Sequence, residues 1–112
     1  MELDQIRTEL VHLFKSDAWE ITRRAEKDAR EILKRYMPFP TQVAIVDFVL
    51  ARLEAGYPFH CIRRGEPLGS RPDGYVMNYS DEKVTDLYVE LISEDDKAWI
   101  ISFHISKHAK ES

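Results

Sequence analysis

The sequence predicts an α+β protein, with helices in its first half and an antiparallel sheet of about four strands in its second. Three observations predict it. Residues 2–36 contain no Gly or Pro, and their apolar positions recur at helical spacing. From residue 59 onward the apolar pattern shifts to a period of two. Finally, 112 residues suit a single domain with one core, divided into a helical segment at 1–37 and a helix plus sheet at 41–112.

In the first segment the apolar series Leu3, Ile6, Leu10, Phe14, Ala18, Ile21, Ala25, Ala29, Ile32 and Tyr36 advances by three or four residues at every step. It reads as one long helix or two, with a break near Lys15-Ser16-Asp17. Asp17 and Glu20 have capping-box spacing for a second start. Glu20 with Arg24, Glu26 with Arg30 and Glu31 with Arg35 are spaced as stabilising helical ion pairs. Met37-Pro38-Phe39-Pro40 ends the helix, because the residue before a proline avoids the helical region. Thr41 then caps a helix over residues 42–54, closed by Gly56. Its expected apolar stripe is Val43, Val46, Val49, Leu50 and Leu53.

Residues 59–63 and 75–79 read as strands separated by a Gly/Pro-punctuated loop, and Ser80-Asp81-Glu82-Lys83 as a turn. Residues 87–92 and 98–105 form a hairpin around a five-residue loop centred on Asp95. That register sets Leu87 against Phe103, Val89 against Ile101 and Leu91 against Trp99, all six on the buried face. It also sets Tyr88 across from Ser102 and diagonal to His104, with Asp86 across from His104.

Composition narrows the function. The formal net charge is −4, which argues against a broad nucleic-acid interface but permits a local one. Residues 81–96 carry seven acids and one base, while His60, Arg63, Arg64 and Arg71, and later Lys107, His108 and Lys110, gather positive charge. No apolar run approaches the ~20 residues of a membrane span. The acidic start, without an apolar signal core, and the single cysteine, Cys61, predict a cytoplasmic protein without disulfides. Cys61 reads as a small core residue of a strand. Its combination with the scattered histidines matches no zinc spacing, so neither a metal nor another cofactor is expected.

The hairpin's second face gathers Tyr88, Ser102 and His104. Histidine changes charge near neutral pH and suits general acid–base work. The stretch Tyr88-Val89-Glu90-Leu91-Ile92, a turn, then Trp99-Ile100-Ile101-Ser102-Phe103-His104 resembles the C-terminal hairpin of the RelE-like ribonuclease toxins, in their MqsR-like branch. The resemblance covers about the last 20 residues and places His104 where that family carries a lysine. It implies metal-independent cleavage of messenger RNA through the ribose 2′-hydroxyl, a cognate antitoxin as partner, and a cytoplasmic setting. It carries the family's tyrosine onto Tyr88 and its C-terminal basic residue onto His104, with Arg63 or Arg64 to supply the phosphate-binding charge. With Arg63 taken as the catalytic cation, the gathered positive charge makes Arg64, His60, Arg71 and Lys107 the expected RNA contacts. A second reading, of another class, is a non-catalytic immunity or inhibitor protein whose acidic turns Asp81-Glu82 and Glu94-Asp95-Asp96 plug a basic site. In it the N-terminal helix pairs with a protein partner or with a second copy.

Overall fold

A computed structural model describes residues 3–62 and 74–106. The chain forms helix α1 (Leu3–Lys15), strand β1 (Trp19–Ile21), helices α2 (Arg23–Leu33) and α3 (Gln42–Glu54), then strands β2 (Phe59–Ile62), β3 (Gly74–Tyr79), β4 (Leu87–Glu94) and β5 (Lys97–Ile105). The α+β class is as predicted. The sheet is larger than predicted, with five strands in the order β1-β5-β4-β3-β2. All its pairings are antiparallel except β1 with β5.

The extra strand comes from the break in the first segment. Ala18 N–H donates to the Leu13 carbonyl (2.9 Å) and Asp17 N–H to that of Phe14 (3.3 Å), the paired bonds of a Schellman cap. Asp17 holds the left-handed position at φ 60°. It therefore ends α1 and does not start the next helix. The N-cap of α2 is Thr22, whose hydroxyl accepts from Ala25 N–H at 3.2 Å. Between the two caps Trp19-Glu20-Ile21 lies extended against β5, with Ala98 N–H donating to the Ala18 carbonyl and Thr22 N–H to that of Ile100. The helical spacing ran through this segment unbroken, and pairing with a distant strand overrode it. Helix α3 closes with the same cap, Tyr57 N–H to the Arg52 carbonyl and Gly56 N–H to that of Leu53, with Gly56 at φ 82°.

The core lies between the helices and one face of the sheet. Ile6, Leu10 and Phe14 of α1 and Ala25, Ala29, Ile32 and Leu33 of α2 are buried in it. The apolar stripe of α1 is thus used within the chain's own core. In α3, Ile45 and Phe48 join Val46, Val49 and Leu53 in the core, whereas Val43, expected there, is 59% exposed.

The hairpin differs from its predicted register in two ways. Its loop is a two-residue turn, Asp95 and Asp96, both left-handed, between paired Glu94 and Lys97. An irregularity between Glu90 and Leu91 then takes up one extra residue, Ile101, on β5. Val89 therefore faces Phe103, Leu87 faces Ile105 and Leu91 faces Ile100. Leu87, Val89, Leu91 and Phe103 are fully buried, as predicted, but Ala98 and Ile100 replace Trp99 and Ile101 in the core. The bulge reverses the alternation, so Trp99 turns to the other face. Cys61 is exposed and not a core residue, because β2 is the outermost strand of the sheet.

Candidate active site

The corrected register tightens the constellation on the second face. Tyr88 pairs directly with His104, and their rings stack with centroids 4.8 Å apart and planes 17° from parallel. Asn78 of β3 completes that row. In the next row His60, Val76, Glu90 and Ser102 follow one another across β2, β3, β4 and β5. His60 is therefore on the same face as the Tyr88–His104 pair, three strand spacings, about 14 Å, from Ser102. Asp86, expected opposite His104, lies beyond the strand at φ 53°, where its carbonyl accepts from Ser106 N–H.

His104 is exposed, and its Nδ1 lies 3.1 Å from the carbonyl oxygen of Ile105. A carbonyl only accepts, so this bond puts the proton of the neutral ring on Nδ1 and leaves Nε2 as the basic nitrogen. The Tyr88 hydroxyl donates to Oε1 of Glu90 at 3.2 Å, and Glu90 is almost fully buried. That bond fixes one orientation of the phenol beside the imidazole.

A groove of about 500 Å³ opens beside this pair, between the first turns of α2 and the end of β5. Arg24, Asp28, Ser102 and His104 supply its polar walls. The groove exists because β1 covers β5 only at Ala98, Trp99 and Ile100, after which the chain turns away into α2. Ile101, the extra residue of the bulge, lines it, and its carbonyl accepts from the Thr22 hydroxyl at 3.4 Å.

Arg24 and Asp28 line the candidate site, and the sequence did not reveal them. Arg24 was read as the helical partner of Glu20, but Glu20 is in β1 and pairs with Lys97 at 2.9 Å. Among the described residues no hydrogen bond or ion pair engages Arg24. The one available signal was a basic excess: residues 23–35 hold six bases and three acids. Arg63, Arg64, Arg71 and Lys107 lie outside the described residues.

A second polar cluster sits elsewhere, where the end of α2, α3 and the β3–β4 turn meet. Tyr36 and Tyr79 both donate to Oδ2 of Asp81, at 2.7 and 2.8 Å, while Oδ1 accepts from the backbone N–H of Lys83 and Val84. Desolvation pushes the Asp81 carboxyl up, but the hydrogen bonds from Tyr36, Lys83, Tyr79 and Val84 outweigh it and bring the pKa down to about 2. Desolvation and the bond to Asp81 raise the Tyr36 phenol. The Arg52 guanidinium stacks on Phe48 at 3.7 Å and on Tyr79 at 4.8 Å. Both oxygens of Asp81 accept from groups of the chain itself, so this cluster fastens elements together.

Among the described residues no group of three or more His, Cys, Asp or Glu is arranged to hold a metal ion, and no helix is long and apolar enough to cross a membrane. Compared with protein-family models, curated proteins and solved structures, the chain matches none of them.

Proposed function

We propose that this protein is a metal-independent endoribonuclease of the toxin type, with Tyr88 and His104 at its reacting centre. The observation that carries the reading is the stacked Tyr88–His104 pair beside a groove that also presents Arg24 and Ser102. In the proposed reaction Nε2 of His104 takes the proton of a ribose 2′-hydroxyl, whose oxygen attacks the adjacent phosphorus. Arg24 offsets the charge that accumulates on the phosphorane oxygens. Tyr88 gives its proton to the departing 5′-oxygen and regains one from water, while the protonated His104 returns its proton to the hydroxide left behind. The products are a 2′,3′-cyclic phosphate and a 5′-hydroxyl, so atoms and protons balance without a metal.

Arg63, expected from the sequence as the catalytic cation, shares that role with Arg24 in this reading, with Arg64, His60, Arg71 and Lys107 as further RNA contacts. A cognate antitoxin is the protein partner the reading entails. The competing reading, an acidic inhibitor, draws on the exposed Glu82 and the hairpin tip Glu94, Asp95 and Asp96. It loses Asp81, whose carboxylate is spent on two tyrosines and two backbone groups.

Purified protein incubated with single-stranded RNA and a chelator tests the proposal. Cleavage to cyclic-phosphate ends is expected, with His104→Ala slower by about 10²–10⁴-fold. Intact RNA at micromolar enzyme, or equal cleavage by His104→Ala, overturns it.

A further inference from the structure

The solvent face of α2 carries Arg23, Arg24, Lys27, Arg30, Lys34 and, one residue past its C-cap, Arg35, opposite the buried Ala25, Ala29, Ile32 and Leu33. This basic face begins at the His104 groove, where Arg24 forms part of the wall, and extends about 15 Å to Lys34 at a rise of 1.5 Å per residue. There it meets a second groove, of about 340 Å³, walled by Lys27, Arg30, Glu31, Lys34 and the Pro38-Phe39-Pro40 turn. Phe39 is 86% exposed, far more than any other large apolar side chain among the described residues. Prolines on either side restrict the backbone that presents it.

An exposed ring at the end of a cationic track is the combination that single-stranded nucleic acid requires, and in a chain of net charge −4 it is a local one. Phosphates follow the cations, and an unpaired base stacks on the ring. We infer that α2 and Phe39 form a second RNA subsite, which holds single-stranded RNA several nucleotides away from the phosphate at His104. The inference rests on the ribonuclease reading for what happens at the far end of the strand, but the binding it requires is measurable without cleavage.

Two cations of the track have carboxylate partners on the same helix. Arg30 pairs with Glu26 at 2.6 Å, and Lys34 with Glu31 at 2.8 Å. Exposed pairs of this kind contribute little to stability, so a phosphate displaces the carboxylate at small cost. Asp28 and Glu31 interrupt the positive face and keep duplex binding weak. A duplex also offers no free base to Phe39, so the surface selects single strands.

The experiment is fluorescence anisotropy with a labelled single-stranded 12-mer of 2′-deoxynucleotides, which lacks the hydroxyl that cleavage needs. Wild type should bind it at low salt and bind the matching duplex more weakly. Phe39→Ala should weaken single-strand binding by about tenfold or more and leave the duplex unaffected. Lys27→Glu with Lys34→Glu should weaken it further and flatten the dependence of log affinity on log salt. These positions are exposed, and an unchanged Tm verifies that each variant folds. If Phe39→Ala and the double variant bind the 12-mer as wild type does, the subsite is overturned, even where His104-dependent cleavage is observed. If binding depends on both while RNA stays intact, the subsite stands and the cleavage reading falls. Wild type that ignores the 12-mer but captures an acidic peptide through Phe39 makes this a protein-docking surface and also overturns the inference.

Discussion

Two clusters in this molecule each pair tyrosine with a titratable partner, and they are built in opposite ways. Around Asp81 the geometry closes on itself: two phenols and two backbone amides converge on one carboxylate, and Arg52 lies over the neighbouring rings. Around His104 the geometry opens. The imidazole is exposed and lines a groove, and its Nδ1 is engaged by the chain's own backbone. The first arrangement spends its polar groups on holding α2, α3 and the β3–β4 turn together. The second keeps a base available. In the proposed reading, a cluster whose acceptors are all used is structural, and one with an acceptor left over can do chemistry.

The contrast is sharpest within β5 itself, where adjacent residues serve opposite faces. Phe103→Ala empties a fully buried site that touches Phe48 and should cost about 3–5 kcal/mol in urea denaturation. His104→Ala, one residue on, should change stability by less than about 0.5 kcal/mol. Equal losses at the two positions would dissolve the distinction between the faces.

Next in size is the Asp81 cluster. Asp81→Ala leaves two phenols and two amides without their acceptor and should cost about 2 kcal/mol. Its pH dependence carries a definite sign. The Asp81 carboxyl falls from an ordinary 3.8 to about 2 in the folded protein, so its contribution is complete above about pH 4 and fades as the pH drops toward 2. Wild type and Asp81→Ala should therefore differ in Tm at neutral pH and converge in acid. A gap that persists at the acid end would mean that the charge is not what the tyrosines bind.

Smaller effects test the two caps that frame β1. Thr22→Ala removes the N-cap of α2 and a bond to the Ile101 carbonyl, and should cost about 1 kcal/mol. Asp17→Gly should stabilise by about 0.5–1 kcal/mol, because glycine holds φ 60° without the side-chain penalty that aspartate carries. Thermal melts of both variants measure these shifts.

How much of this could be read in advance follows from which forces are local. Helix α3, its Thr41 cap and its Gly56 terminus were legible because capping chemistry is written in adjacent residues. The break after Lys15 was legible, but Asp17 was assigned to the wrong helix, since an acid near a helix boundary can end one helix or begin the next. Strand β1 was hidden because its partner lies some eighty residues away, and nothing in Trp19-Glu20-Ile21 announces it. The bulge at Ile101 was hidden for a similar reason, as two apolar residues in a row satisfy either register. The site was half legible. Tyr88 and His104 share a face under both registers, so that prediction survived the error, and the true register brings them closer. Arg24 entered only with the fold, because the groove is made by the place where β1 stops.

In the proposed function the His104 cluster does chemistry and the Asp81 cluster does not. Measuring Tm and RNA cleavage together on His104→Ala and Asp81→Ala tests it most directly. A crossing is expected: His104→Ala melts like wild type and no longer cleaves, while Asp81→Ala melts lower and cleaves normally below its Tm. Cleavage that tracks Tm in both variants, or that survives loss of His104, would contradict it.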